Sequence, residues 1–178
     1  MLDRKGRILV LTGEGKGKTS SALGMVIRAL GWGKKVCVLQ FFKSPEYECG
    51  ERIFLEKCGV EIHPLGIGFS WLKTEEEQRD AIRNGWAKTL EKLSSDYDMV
   101  VIDEIINVFS QKNVKIDDIL TEEDLKNALE KYSVDKDIIL TGRGCGEILK
   151  SVADTVTEMV NVKHGYEEGL EACKGIEY

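Results

Sequence analysis

The sequence predicts an α/β fold in which helices cover both faces of a mostly parallel β-sheet. Short apolar runs, typical of buried strands, alternate along the chain with longer segments of helical periodicity. The run at residues 98–104, DMVVIDE, is apolar through its middle and fits a strand covered on both sides. No internal repeat, low-complexity stretch or linker interrupts the alternation, so we expect a single α/β domain over residues 1–178.

Each element is predicted from its own local pattern. Strands are predicted at residues 7–12, 36–42, 60–66, 98–104, 137–142 and 155–163. Helices are predicted at residues 20–30 and 50–59, and after Thr74 and Thr121. Gly31 and Gly33 end the first helix, whereas Thr74 and Glu77 form a capping box that begins the third. Apolar residues then recur through that third helix at Ile82, Trp86, Leu90 and Leu93.

Composition limits the classes of function. The chain has 178 residues, of which 42% are hydrophobic and 31% charged, as in a globular domain. Its net charge of −6 argues against a nucleic-acid partner, because phosphate backbones attract basic surfaces. No apolar run of about 18 residues predicts a membrane span, and no signal-peptide pattern is seen, so a cytoplasmic protein is expected.

The cysteines and histidines argue against a built-in metal centre or a disulfide framework. The five cysteines are odd in number and form no C-x-x-C pair, which disfavours zinc ribbons and disulfide scaffolds. With only two histidines, His63 and His164, a site with several histidine ligands is excluded. We expect His63 to be structural and His164 to make a buried hydrogen bond.

The segment LTGEGKGKTS, residues 11–20, is a variant phosphate-binding loop between a strand and a helix. Thr12 stands where the usual motif begins with glycine, a change that should matter little for anion binding. Backbone N–H groups at such a turn point toward an anion, and the helix N-terminus adds partial positive charge. Lys18 is expected to reach the phosphates, and the Thr19 hydroxyl to bind Mg²⁺. The residues expected to contact ATP are Gly13, Glu14, Gly15, Lys16, Gly17, Lys18, Thr19 and Ser20.

Charged residues also follow three of the other predicted strands. Asp103 and Glu104 end the run at 98–104, and carboxylates there could hold Mg²⁺. Arg143 follows the strand at 137–142 and is a candidate phosphate clamp, while Lys43 follows the second strand in QFFK. Together with the loop, they predict a P-loop NTPase-like, RecA-like domain.

The loop and carboxylates leave three classes of chemistry open. One is a conventional NTPase or small-molecule kinase with Asp103 or Glu104 as base. Another is a transferase that uses ATP as an alkyl-type donor, and the third is a nucleotide-responsive binding module without turnover.

Several longer segments resemble the phosphate-loop ATP:corrinoid adenosyltransferases, which adenosylate cob(I)alamin and cob(I)yrinic acid a,c-diamide. The similar segments run from about residue 7 to Tyr178 and include TGEGKGKT, RALGWGKKVCVLQFFK, GERIFLEKCGVEIHPLGIGFSW, DMVVIDEI, TGRGC and the final KGIEY. The resemblance implies that Co(I) of the corrinoid attacks the 5′ carbon of ATP and that triphosphate leaves. It implies catalytic roles for Lys18, Thr19 and Glu104.

The resemblance also implies partners and a corrinoid subsite. Phe69 and Trp71, in GIGFSW, would lie against the corrin and exclude its lower axial ligand, although two such aromatics could equally fill a core. A flavodoxin-like or flavin electron donor and a homodimer are implied. Family members often carry a longer N-terminal extension that covers the site; here twelve residues precede Gly13, so closure is expected to come from elsewhere.

Overall fold

A six-stranded, all-parallel β-sheet forms the centre of the computed structural model, which describes residues 6–68, 73–111 and 113–178. Its strands are β1 Ile8–Thr12, β2 Val36–Gln40, β3 Glu61–Pro64, β4 Met99–Asp103, β5 Asp137–Thr141 and β6 Thr155–Glu158. They lie in the order β3-β2-β4-β5-β1-β6, and every neighbouring pair is parallel. All six strands therefore end at the same edge.

Helices cover both faces of this sheet, as predicted. The helices are α1 Lys18–Gly31, α2 Gly50–Lys57, α3 Glu75–Leu93, α4 Ile105–Phe109, α5 Glu122–Tyr132 and α6 Glu147–Val152, and a short 3₁₀ helix spans Gly165–Glu168. Alternate residues of β4 face opposite sides: Val101 packs in the cluster with α1 and α2, whereas Val100 and Ile102 pack in the cluster with α3 to α6. The predicted fold class is confirmed.

The capping box predicted at the start of α3 is confirmed. The Glu77 amide donates to the Thr74 hydroxyl at 3.2 Å, and the Thr74 amide donates to the Glu77 carboxylate at 2.8 Å. Thr121 and Asp124 form the same arrangement at α5. Both caps satisfy N–H groups that the helix leaves without intrahelical partners, which fixes where each helix begins.

The structure differs from the predicted elements in two unpredicted helices and in several element ends, since β2, β3 and α2 are shorter than predicted and α1 begins two residues earlier. Helices α4 and α6 were not predicted, because helices of five and six residues are too short to show a helical period. The last strand ends at Glu158 and not at residue 163, because the chain beyond it packs against the phosphate loop. Helix α1 includes Gly31, and the chain turns only at Gly33, where φ is 70°. Over the residues described, no helix combines the length and apolar character needed to cross a membrane.

Candidate active site

A cavity of about 910 Å³ opens at the carboxyl edge of the sheet. Parallel strands bring all their C-terminal loops to this edge, where ligands of such sheets bind. Its lining includes the predicted phosphate-site residues Glu14, Gly15, Lys16, Gly17, Lys18, Thr19, Ser20, Lys43, Glu104 and Arg143. Gly13 and Asp103 are not part of this lining but accept hydrogen bonds from residues that are, Gly13 from Lys18 and Asp103 from Thr19.

The phosphate loop wraps around the Lys18 side chain. Gly17 begins α1 with a φ of 115°, a left-handed backbone that glycine adopts without strain. The Lys18 ammonium donates to the carbonyl oxygens of Gly13 and Gly15, both at 2.7 Å. Burial lowers the pKa of Lys18, and the nearby positive charge of Arg143 lowers it further. The ammonium is thus fixed inside the loop, where an anion would meet it.

The segment that follows β6 binds the phosphate loop through backbone hydrogen bonds. The Gly15 amide donates to the Met159 carbonyl at 2.7 Å, and the Met159 amide donates to the Thr12 carbonyl at 2.8 Å. The Thr12 hydroxyl accepts from the Cys145 amide at 3.3 Å. The threonine that replaces the usual first glycine therefore ties the phosphate loop to the loop after β5.

Asp103 is fully buried and is surrounded by hydrogen-bond donors. One carboxylate oxygen accepts from Thr19 at 2.9 Å and from Thr141 at 2.7 Å, and the other lies 3.5 Å from the Gln40 amide nitrogen. Burial raises the pKa of Asp103, and these hydrogen bonds oppose that rise. Asp103 thus fixes the Thr19 hydroxyl at the floor of the site.

Glu104 lines the cavity itself, directly after β4. Its backbone is left-handed, with φ at 63°, and its amide donates to the Thr141 hydroxyl at 2.8 Å. Burial raises the pKa of Glu104 to about 7, and the neighbouring charge of Asp103 adds to the rise. The positive charges of Lys43, Arg143 and Lys18 partly offset both effects. Burial of the charged Glu104 carboxylate is unfavourable, and a bound cation would offset this cost.

This shift predicts that Glu104 destabilises the metal-free protein at high pH. Because the folded pKa of about 7 exceeds the ordinary 4.5, the stability that this group contributes is fully present below pH 4.5 and is lost as pH rises through 7. We expect Glu104→Gln to raise the free energy of unfolding by about 3 kcal/mol at pH 8.5, because a change of one in pKa corresponds to about 1.4 kcal/mol. At pH 4.5 the variant and the wild type should be equally stable. Urea denaturation in EDTA without nucleotide measures the difference, with exposed Glu171→Gln as control; an equal difference at both pH values would contradict the assignment.

The two predicted cations outside the loop differ in how firmly they are held. Lys43 forms an ion pair with Glu51 of α2, and although burial works against it, this pairing raises the pKa of Lys43. The Arg143 guanidinium lies 3.6 Å from Glu14, and both side chains are exposed, at 60% and 66%. A pair this exposed contributes little to stability, so Arg143 can turn toward a ligand. Glu14 itself lines the cavity, where its negative charge acts on Lys18 and raises the pKa of that lysine.

The cavity also contains residues that sequence patterns did not indicate. Asn107, in α4, accepts from the Arg143 amide at 2.6 Å and so positions the loop after β5. Thr141 lies next to the end of the strand predicted at residues 137–142, and that position could have indicated it. Further members include Glu51, Phe54 and the chain end from Gly175 to Tyr178. They lie in segments that resemble the family, but the segments alone do not show that these residues reach the site, because only the tertiary fold brings them here.

The remaining predicted residues fall into two groups. His63 lies on β3, where its Nε2 is 2.6 Å from the Glu61 carboxylate, and its expected structural role stays a prediction. His164 accepts from the Tyr166 amide at 3.2 Å, so the expected hydrogen bond is present, but the residue is half-buried and lines the cavity. Phe69 and Trp71 lie outside the described residues.

Comparison with protein families decides among the classes of chemistry that this geometry leaves open. The family model described as ATP:corrinoid adenosyltransferase BtuR/CobO/CobP matches residues 4–178. The chain belongs to this adenosyltransferase family. The match includes the phosphate loop, both carboxylates and the chain end that lines the cavity.

Individual relatives agree with the family over nearly the whole chain. The corrinoid adenosyltransferase of Escherichia coli strain K12 is 39% identical, with 99% of this chain and 87% of that protein covered. The corrinoid adenosyltransferase CobA of Salmonella typhimurium is 38% identical with the same coverage. That of Pseudomonas aeruginosa is 38% identical over 99% of this chain and 85% of its own.

A solved structure supports the fold of this adenosyltransferase. The flagellar accessory protein FlaH from Methanocaldococcus jannaschii matches with a TM-score of 0.58 at 14% identity. The match covers 86% of this chain and 70% of that one. At this identity the similarity concerns only the arrangement of strands and helices.

Proposed function

We propose that this adenosyltransferase binds ATP at the carboxyl edge of the sheet and transfers its 5′-deoxyadenosyl group to the cobalt of a corrinoid. Family membership establishes the activity. The observation that carries the assignment to this site is the position of Lys18, fixed by the Gly13 and Gly15 carbonyls at 2.7 Å. Thr19 and Glu104 line the same cavity.

The proposed reaction needs no activating base on the protein, because the nucleophile is the Co(I) centre of the substrate. Co(I) of the substrate donates an electron pair to the 5′ carbon of ATP, forming a cobalt–carbon bond. The bond from that carbon to oxygen breaks, and inorganic triphosphate leaves with its electron pair. Charge grows on the departing triphosphate, and we propose that Lys18 and the loop amides stabilise that charge. We propose that Lys16 and Arg143 bind the rest of the triphosphate.

The residues of the site fit a magnesium ion. No group of three or more His, Cys, Asp or Glu in the described residues could hold a metal unaided. Mg²⁺ commonly binds one or two carboxylates together with substrate phosphates and waters, and Glu104 with the Thr19 hydroxyl supplies such a partial set. We propose that these two residues hold it and that Asp103 orients Thr19 or joins them. When bound, Mg²⁺ would neutralise charge on the triphosphate.

The test of the function is incubation with ATP, Mg²⁺ and chemically reduced cobalamin. We expect the Co(I) absorbance to disappear, a light-sensitive product to form, and triphosphate to be released in equal amount. Release of ADP or of single phosphate without cobalt alkylation would instead indicate a conventional kinase or NTPase. Glu104, with its raised pKa, would then be the candidate base.

We also propose that Phe69 and Trp71 contact the corrin, on the strength of the family resemblance. If they exclude its lower ligand, Phe69→Ala and Trp71→Ala should lose most activity with a flavin-based donor, because four-coordinate Co(II) would no longer form. Supplying Co(I) already reduced should restore much of the rate. Activity with both cobalt sources and the melting temperature are measured. A large drop in melting temperature with both activities falling together would indicate a core role instead.

Family resemblance supports three further proposals. The physiological reductant is a flavodoxin-like protein or a flavin, the enzyme is a homodimer, and it acts in the cytoplasm. Activity with each donor and sedimentation analysis of the purified protein test the first two. Fractionation of cells tests the third.

A further inference from the structure

The last six residues of the chain, Cys173–Tyr178, form a compact turn, referred to here as the tail segment. The Gly175 amide donates to the Tyr178 carbonyl at 2.7 Å, and the Glu177 amide donates to the Cys173 carbonyl at 3.0 Å. One Glu177 carboxylate oxygen accepts from the Cys173 amide at 2.9 Å. Residues 175–178 line the active-site cavity. The turn is therefore held by its own hydrogen bonds and forms part of the wall of the site.

Two contacts fix the tail segment to opposite sides of the cavity. The other Glu177 carboxylate oxygen lies 3.2 Å from the Lys16 ammonium, in the loop after β1. The Tyr178 ring meets the Tyr47 ring edge-on, with centroids 5.9 Å apart, and Tyr47 follows β2. Strands β4 and β5 lie between β1 and β2 in the sheet. The tail segment thus crosses the cavity above the edge that carries Glu104 and Arg143.

One carboxylate oxygen of Glu177 is bound to the Cys173 amide and the other is paired with the Lys16 ammonium. The hydrogen bond from the Cys173 amide holds the pKa of Glu177 below its ordinary value, so the carboxylate is charged at neutral pH. With one oxygen bound to the turn, the other is fixed in position when it pairs with Lys16. A lysine side chain otherwise has many rotamers, and ordering it on binding costs free energy. A Lys16 side chain that is already ordered by Glu177 loses less conformational entropy when a ligand binds.

We propose that Glu177 is a positioning residue that holds the Lys16 ammonium for the triphosphate of ATP. The inference rests on the proposed function, because it assigns the triphosphate to the phosphate loop. The tail segment closes the side of the cavity opposite the sheet, and it couples that closure to the loop through one ion pair. Retention of ATP and of triphosphate depends on this pair, whereas the bond-breaking step depends on Lys18.

The test is a double-mutant cycle of Glu177→Ala and Lys16→Met. We expect Glu177→Ala to raise the KM for ATP about three- to tenfold and to leave kcat within about twofold. The dissociation constant for inorganic triphosphate, measured by calorimetry, should rise by the same factor. In the Lys16→Met background, Glu177→Ala should have no further effect. The exposed residue Glu171, just before the tail segment and outside the cavity lining, gives the control Glu171→Gln, which should behave as wild type.

Two results would overturn the proposal. One is a wild-type KM and triphosphate affinity in Glu177→Ala. The other is an equal loss in the Lys16→Met background, which would mean that the tail segment acts without Lys16. The melting temperature of each variant is measured to confirm that the fold is intact. If the wild type bound triphosphate but formed no adenosylated corrinoid, the proposed function would fail, while the binding data would still test Glu177.

Discussion

Replacing Lys18 with alanine should reduce adenosylation by about 30- to 1000-fold, since one preorganised charged donor at a developing anion contributes about 2–4 kcal/mol. Its ammonium is held inside the phosphate loop by the carbonyls of Gly13 and Gly15. Both kcat and the affinity for ATP should fall, because the charge acts on the bound triphosphate and on the departing one. Steady-state kinetics and calorimetry with ATP measure the two effects.

The same substitution also removes two hydrogen bonds within the loop, so a second variant separates charge from loop structure. Lys18→Met keeps most of the aliphatic stem and should lose as much activity as Lys18→Ala. Lys88→Ala, at a half-buried position of α3 outside the cavity lining, serves as the lysine control and should be fully active. If Lys18→Met retained turnover within about threefold of wild type, the loop would not be the site of catalysis.

A large effect on stability is expected at Gly13. Its φ of 95° disfavours any side chain, and a Cβ there would lie 2.4 Å from the Met159 carbonyl oxygen and 2.7 Å from the Met159 nitrogen. These atoms belong to backbone, which cannot rotate away as a side chain can. We expect Gly13→Ala to lower the free energy of unfolding by about 2–5 kcal/mol. ATP binding should weaken as well, because the loop must separate from Met159.

Gly24→Ala is the matched control for this prediction. Gly24 lies within α1, and a Cβ at that position meets no atom within 4 Å. Alanine there should stabilise the protein by about 0.5–1 kcal/mol, since glycine weakens a helix interior. Urea denaturation compares both variants with the wild type. A Gly13→Ala protein as stable as the Gly24→Ala protein would show that the loop does not need its close approach to Met159.

The sequence was sufficient to predict the fold class and those residues of the site that lie at or just after the ends of strands. Asp103, Glu104 and Arg143 could be placed together because parallel strands end at one edge, and the order strand, glycine-rich loop, helix located Lys18 and Thr19. The contact between Asp103 and Thr19, 84 residues apart, could not be predicted. This contact depends on the order of the strands in the sheet, and local sequence patterns do not show that order.

The site residues that the sequence did not predict are brought to the cavity by the tertiary fold and not by a recognisable local pattern. Asn107 lies in a helix of five residues, which is too short to show periodicity. Glu177 lies in the KGIEY segment that resembles the family, but it reaches the site through a turn held by hydrogen bonds among its own residues, which the sequence does not show. The sequence predicted Gly13 only as a residue that contacts ATP. In the structure the close approach of Met159, from a segment far along the chain, also requires glycine there.

The position of β1 within the sheet has a consequence for how the molecule is made. The strand that carries the phosphate loop pairs with β5 on one side, Ile8 beside Ile138, and with β6 on the other, Leu9 beside Thr155. A ribosome releases β1 first, yet both neighbours emerge only after most of the chain has been synthesised. Until then β1 is an unpaired apolar strand, a species prone to aggregate. The nucleotide loop therefore takes its final shape late, and folding should be slow, because its contacts close very long loops.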